Sequence, residues 1–276
     1  MGADAVGAAG VTARARHLDG QLRPDLKALS ADPAFASVRR SLGVYYDGPS
    51  RAAAMAAFYA RLVRPGARVF DIGSHVGDRI AAFLACGASV IACEPQPVCT
   101  AVLKHLYGER PDVTLVPSAV GAQEGNIRFY LNSSNPTVST AASDFVAAAR
   151  DADGWREQSW DSALTVPVTT LDALIARYGV PDFVKVDVEG FEADVLSGLS
   201  HPVRALSFEF TTIQRSVAFA CLERMSRLGS YTFALSLGQS LTLETDWLAA
   251  QEMRSVIEAL DHSANSGDVY AVAAPP

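Results

Sequence analysis

The chain has no C-x-x-C pair, no run of about 20 apolar residues of the kind a membrane span needs, and no excess of positive charge. Each absence removes a class of function. Its four cysteines, Cys86, Cys93, Cys99 and Cys221, lack the spacing of zinc ribbons and thioredoxin-type sites. They read as small buried side chains in a reducing compartment. Residues 1–20 are rich in Ala and Gly with Arg14 and Arg16, and lack the apolar stretch of a signal peptide. The expectation is a cytoplasmic protein with no membrane partner. A formal net charge of −7 argues against a non-specific grip on phosphate backbones, which needs clustered Lys and Arg, so nucleic acid is not an expected partner. Hydrophobic residues at 49% and charged residues at 19% are enough for a packed core.

What is present is an alternation. Residues 1–30 read as poorly ordered or loosely helical. Ser50–Val63 reads as a helix capped by Ser50, with Met55, Phe58, Tyr59 and Leu62 at helical spacing. Pro65-Gly66 breaks it. Strands are then expected at Arg68–Ile72, Ser89–Cys93 and Val113–Val116, the last resumed near Ala119, with helices at Asp78–Cys86 and Val98–Tyr107. Strand-helix-strand at this spacing predicts parallel strands with helical crossovers. A further strand at Ile127–Leu131 opens an interruption. Asn132–Thr140 reads as a loop, Ser143–Arg150 as a short helix, and Asp151–Asp161 as a polar stretch carrying Trp155 and Trp160. The insertion near 132–165 is a candidate lid, with Asn135, Trp155 and Trp160 as its covering residues, or else two tryptophans anchoring a loop. The alternation resumes with strands at Val166–Val168, Phe183–Val188 and Ala205–Phe210, helices at Leu171–Tyr178, Phe191–Leu199 and Ile213–Leu228, and final strands at Tyr231–Leu235 and Val269–Val272. The expected fold class is α/β, a doubly wound, mostly parallel Rossmann-like sheet. Residues 1–50 form an N-terminal extension or helical cap, and residues 51–276 the main domain.

Three segments carry chemistry. In VFDIGSHVGD, Val69–Asp78, a strand reaches Asp71 and then a turn flanked by Gly73 and Gly77 opens a helix. Ligands of open α/β sheets bind beyond strand ends at such turns, where glycine permits close approach and helix N–H groups meet a ligand carboxylate. The D-x-G-x-x-x-G spacing departs from the G-x-G-x-x-G of dinucleotide sites. A carboxylate at Asp71 repels a pyrophosphate and suits an amino-acid ammonium group. The second signal is Glu94, after the apolar strand Ser89–Cys93, where nucleotide-binding units place an acid to hold a ribose diol. Adenosine without a pyrophosphate points to S-adenosylmethionine. The third is FVKVDVEGFE, Phe183–Glu192, which sets Lys185, Asp187 and Glu189 at alternate positions facing one way. Lys185 and Asp187 read either as a structural ion pair or as part of a site beside the transferable methyl.

Together with SAVG at 118–121, VTTLDAL at 168–174 and KVDVEGFEADVLSG at 185–198, these segments resemble the FkbM family of methyltransferases, from Phe70 to about Phe210. The resemblance implies a Rossmann-like fold, S-adenosylmethionine as cofactor and, as the usual activity, methylation of a hydroxyl on a small molecule such as a natural product or sugar. It implies that Asp71, Gly73 and Gly77 serve the methionine end, Glu94 the ribose, Ser118 and Ala119 the adenine, and Asp187 and Glu189 the methyl or the acceptor, with Ser74, His75, Pro95 and Asp187 counted among the cofactor-binding residues. His75 departs from the pattern, since many relatives carry Asn there; it either touches the cofactor or is a tolerated polar residue at the turn.

Methyl transfer is an in-line displacement, so positioning carries most of the catalysis, and an alcohol acceptor also needs a base. Asp187 is the first candidate, with His75 and Glu189 behind it and Lys185 as an electrostatic support. No metal is assigned, although Asp187, Glu189 and Glu209 could converge as oxygen ligands. The competing readings are a catalytically inactive module that binds the cofactor or a partner, and an NAD-dependent oxidoreductase of similar fold. Nothing in the sequence sets the oligomeric state.

Overall fold

A computed structural model describes residues 2–46 and 48–274, with side chains from Ala9 onward. The chain divides into two compact units, Met1–Pro117 and Ser118–Pro276. Among the described residues no helix is long and apolar enough to cross a membrane.

The first unit begins with α1, Gly2–Ala31. The loose start expected from composition is instead a continuous 30-residue helix. Val11, Ala15, Leu18, Leu22, Leu26 and Leu29 are all buried, and their steps of three and four residues make one apolar stripe. That stripe packs on two later helices, α3 and α4, at Gly48–Tyr59 and Asp78–Ala85. Each buried leucine contributes about 1.5–3 kcal/mol, which outweighs the weak propensity of a Gly-rich start. Arg14 Nε also donates to the Ala85 carbonyl at 2.7 Å, closing one of the orphan acceptors at the end of α4. Between α1 and α3 lies α2, Arg39–Tyr45. Because α3 starts at Gly48, Ser50 lies inside the helix and is not its cap.

Three strands, β1 (Arg68–Ile72), β2 (Ser89–Cys93) and β3 (Val113–Val116), lie parallel in the order β3-β2-β1, with Arg68 opposite Ser89 and Val90 opposite Val113. Helices α4 and α5 (Pro97–Tyr107) make the crossovers. Strands β1 and β2 are buried along nearly their whole length, as parallel strands covered on both faces must be.

The second unit has two sheets. Strands β4 (Ala119–Val120), β5 (Gly125–Leu131) and β6 (Ser162–Thr169) form a small sheet in the order β4-β6-β5, with β5 and β6 antiparallel. The strand expected at Val166–Val168 is thus longer and lies outside the parallel sheet. Within β6 only Val166 is buried, the half-solvated pattern of an antiparallel ribbon. After α6 (Ser143–Arg150) and α7 (Leu171–Tyr178) come β7 (Phe183–Val186), α8 (Glu192–Ser197), β8 (Ala205–Thr211), α9 (Arg215–Leu228), β9 (Tyr231–Leu237), α10 (Ala250–Ala259) and β10 (Ser266–Ala273). Their sheet order is β7-β8-β10-β9, with β7 and β8 parallel and β10 antiparallel to both neighbours. Parallel strands joined by crossover helices, closed by an antiparallel edge, make this the α/β Rossmann-like class.

Candidate functional site

In the first unit the turn after β1 is held from several sides. The Gly73 and Ser74 N–H groups donate to the Cys93 carbonyl at 2.9 and 3.1 Å, and Gly77 N–H donates to Ser74 O at 2.8 Å. Ser74 Oγ donates to Asp71 O at 2.8 Å. Gly73 sits at φ +84 and Gly77 at φ +87, a region closed to most side chains. At Gly77 a Cβ would also lie 2.7 Å from Leu103 and from Tyr107, so the turn can pack on α5 only as glycine. Tyr107 Oη donates to Gly77 O at 2.8 Å, and Tyr46 Oη to Val76 O at 2.9 Å. The two hydroxyls lie 2.9 Å apart, and burial drives both well above the ordinary phenol range. Sequence reasoning missed this pair of tyrosines, because only tertiary packing brings residues 46 and 107 together.

Asp71, 1% exposed, lies one residue before the end of β1, which stays buried through Ile72. Glu94 is 3% exposed, and its carboxylate accepts from the backbone N–H of Gln96 at 2.7 Å and of His75 at 2.9 Å. Burial pushes its pKa up to about 7, against the lowering effect of those two N–H groups. His75 therefore contributes its main chain. It sits at φ +46, a conformation in which His is enriched among non-glycine residues. The ring of His75 lies against Cys99 Sγ at 3.4 Å and edge-on to Tyr45. Pro95, half-buried, and Gln96 continue the same turn into α5.

In the second unit Ser118 Oγ lies within hydrogen-bond distance of the carbonyls of Pro167 and Ala119, at 2.9 and 2.8 Å. Ala119 packs with Phe129 and Val166. Both residues are tied into the small sheet.

The β7 segment gathers charge. Lys185 is fully buried, with Nζ 3.0 Å from Asp187 Oδ2 and 2.7 Å from Asp268 Oδ1. Asp268 lies on β10, opposite Glu209 of β8, and Lys185 is opposite Ser207 of β8, so three strands contribute to one polar cluster. The strand ends at Val186, two residues earlier than its apolar pattern suggests. Glu189, at φ +56, and Gly190, at φ +90, turn the chain. At Gly190 a Cβ would approach Gln214 Oε1 to 2.7 Å and Phe145 to 2.8 Å. Period-two spacing accounts for Lys185 and Asp187, whereas Glu189 reaches the cluster through the turn. Thr140 Oγ1 donates to the Glu189 carbonyl at 2.7 Å. Glu192 Oε1 accepts from Val188 N–H at 3.0 Å and Gly190 N–H at 3.3 Å. One carboxylate oxygen each from Asp187, Glu189 and Glu209 lie within 4.8 Å of one another. Burial, then the neighbouring carboxylates, hold Glu189 and Glu209 well above the usual carboxylate range, opposed by Lys185. Sequence reasoning did not find Asp268, Glu192 or Thr140, since strand pairing and turn packing alone bring them here.

The insertion packs inward. Phe145 and Trp155 join Val138, Ala142 and Ala149 in a core, with Trp160 and Phe191 against it. Trp155 Nε1 donates to Asn265 Oδ1 at 3.0 Å and Trp160 Nε1 to Val138 O at 2.9 Å. Asn135 Nδ2 donates to Gln158 Oε1 at 3.1 Å. The tryptophans are packing anchors here.

A glycine turn opening a helix, an amide-held acid after the next strand and a charged β7 turn are carried on an α/β protein of Rossmann-like class. The methyltransferase FkbM domain model matches residues 71–235, more than half of the chain, and the protein belongs to this family. It is 28% identical over 151 residues to the hexuronic acid methyltransferase AglP of Haloferax volcanii, covering 54% of this chain and 56% of that one. The chain thus spans about half the length of this curated relative. Among solved structures it is similar to a TehB-like SAM-dependent methyltransferase from Corynebacterium glutamicum (10% identity, 80% of this chain and 88% of that one, TM-score 0.41). It is also similar to a precorrin-6y C5,15-methyltransferase from Geobacter metallireducens (11% identity, 80% and 86%, TM-score 0.42).

Proposed function

We propose that this protein is an S-adenosylmethionine-dependent methyltransferase that methylates an oxygen, in the first instance a hydroxyl, of a small sugar-like acceptor. The observation that carries the reading is Glu94. A carboxylate has roughly four acceptor sites. The backbone N–H groups of His75 and Gln96 orient this one and leave acceptor capacity for the hydroxyls of a ribose. That donor set fits an adenosyl group, and nothing in the turn supplies the cationic charge a pyrophosphate wants. Asp71, Gly73, Ser74, His75 and Gly77 are assigned to the methionine end, and Pro95, Ser118 and Ala119 to the nucleoside. The bound cofactor supplies an electrophilic methyl on a sulfonium.

The chain's own residues do the rest. Asp187, partly exposed, is fixed by Lys185 and is assigned to receive the proton that an acceptor hydroxyl loses. Glu189 lies beside it. Lys185 is a positioning residue: fully buried and shared between two carboxylates, it aims Asp187 and touches no ligand. The hexuronic acid named for the Haloferax relative supports a sugar acid as the acceptor class. Such a molecule offers both hydroxyls and a carboxylate. Four buried free cysteines suit a cytoplasmic setting.

Calorimetry with S-adenosylhomocysteine, followed by methyl transfer from labelled cofactor to a panel of neutral sugars and hexuronic acids, tests the proposal. A base-stable methyl ether on a sugar is the expected product. A base-labile ester would move the acceptor atom to a carboxylate, and absence of S-adenosylhomocysteine binding would sink the reading.

A further inference from the structure

The acid cluster on β7, β8 and the Glu189 turn has more carboxylates than its surroundings pair. Asp187 and Asp268 share Lys185, and Glu192 is occupied by two backbone N–H groups. Two carboxylates remain. The Glu189 side chain is 8% exposed, and among the described residues its carboxylate accepts no hydrogen bond and joins no ion pair. The bond from Thr140 goes to its carbonyl. Glu209 Oε2 is buried without a hydrogen-bond partner. A carboxylate oxygen buried without a partner, such as Glu209 Oε2, costs several kcal/mol, and with Glu189 and Asp187 oxygens within 4.8 Å of the same carboxylate it describes a site for a positive ligand.

We propose that Asp187, Glu189 and Glu209 bind one hard divalent cation of the magnesium, manganese or calcium type. The donors are all oxygen, which suits these ions and not zinc or copper, which favour His and Cys. Their mutual spacing, within 4.8 Å, is no wider than the span across one ion with metal–oxygen distances of about 2.1–2.4 Å, so all three can reach it. Asp187 can ligate through one oxygen and keep Lys185 on the other. Glu209 and Glu189 then lose their mutual repulsion. The remaining positions of a six- to eight-coordinate ion are open to water or to acceptor oxygens. Binding of the ion itself does not rest on the methyltransferase reading, whereas its use in holding an acceptor does.

The test uses the full chain after treatment with a chelator. Calorimetric titration with magnesium, manganese and calcium chlorides should reveal one saturable site per chain, and at least one of the ions should raise the melting temperature. Glu209→Gln should weaken that affinity at least tenfold and abolish the thermal shift. Without added ion, Glu209→Gln should melt no lower than wild type, because it removes a repelling charge, which separates lost binding from lost folding. Glu94→Gln should bind the ion as wild type does. No saturable binding up to about 1 mM, the weak end of protein calcium sites, would overturn the inference. So would an equal thermal shift in wild type and Glu209→Gln. S-adenosylhomocysteine titrated into the same preparation separates the two readings, since a chain that binds it but no ion overturns the cation site alone.

Discussion

Glu94, buried, and Glu209, half-buried with one buried oxygen, are both acids at or near the ends of strands, yet their surroundings treat them oppositely. Glu94 accepts two backbone N–H bonds at 2.7 and 2.9 Å, while Glu209 keeps a buried oxygen with no partner and faces Asp187 and Glu189. A carboxylate held by amides is partly compensated, though burial still outweighs them at Glu94, and keeps acceptor capacity for neutral donors such as hydroxyls. A carboxylate among carboxylates is uncompensated and selects a cation or a proton. The first unit thus carries an acid held by backbone amides, and the second a cluster of acids with a buried, unpartnered oxygen.

Lys185 is where this contrast is easiest to break. It is the ammonium that makes the second cluster tolerable. Lys185→Met should strand two carboxylates and cost about 3–5 kcal/mol, the loss typical of removing one partner of a buried pair. Urea unfolding measures it, and a loss under about 1 kcal/mol would mean that the cluster already sheds its charge by protonation. Asp187→Asn keeps the shape and removes the proposed base, so turnover should fall about 10²–10⁴-fold with S-adenosylhomocysteine affinity within a factor of a few. Equal loss of both would shift Asp187 from acceptor chemistry to cofactor binding.

Glu94→Gln sharpens the other side. It cannot accept from both N–H groups and a diol, and should weaken S-adenosylhomocysteine binding by about 1.5–3 kcal/mol, the value of a charge-assisted bond. Wild-type affinity in that variant would remove Glu94 from the ribose. The same residue sets a pH dependence. Its folded pKa of about 7 lies above the ordinary 4.5, so the native state holds this proton more tightly than the unfolded chain. Its contribution to stability is therefore full below pH 4.5 and is lost as pH rises through 7. Cofactor affinity runs the other way, because the ionised form is the better acceptor. It should fall up to tenfold per unit as pH drops below 7, and Glu94→Gln should flatten that profile.

Much of the first unit was legible because its signals are local. The strands Arg68–Ile72, Ser89–Cys93 and Val113–Val116 occur with the expected bounds, each a short apolar run between turn residues. The second unit was harder. Asp268 lies 83 residues from Lys185 and reaches it only because β10 runs antiparallel beside β8, an outcome of sheet order rather than of spacing. Helix α10 was missed because only Met253 and Ile257 of its ten residues are buried, too thin a stripe to register. The stripe on α1 was overlooked because alanine and glycine dilute it.

The smallest expected effect concerns the insertion, which composition alone made a candidate lid. Its tryptophans are bound inward: Trp155 packs edge-on to Phe145 with ring centroids 5.2 Å apart, and its Nε1–H is satisfied by Asn265. Trp155→Phe keeps most of the ring and loses that bond. It should cost about 1 kcal/mol of stability, the net value of one hydrogen bond plus the polar partner left behind, and leave turnover near wild type. Thr140, which ties the same segment to the Glu189 turn, should matter more to activity than either tryptophan. Limited proteolysis across residues 132–165 checks this directly. Cleavage that is equally slow with and without S-adenosylhomocysteine fits a fixed wall beside the acid cluster, whereas protection that appears only with the ligand would restore the lid and make Trp155→Phe a kinetic rather than a stability variant.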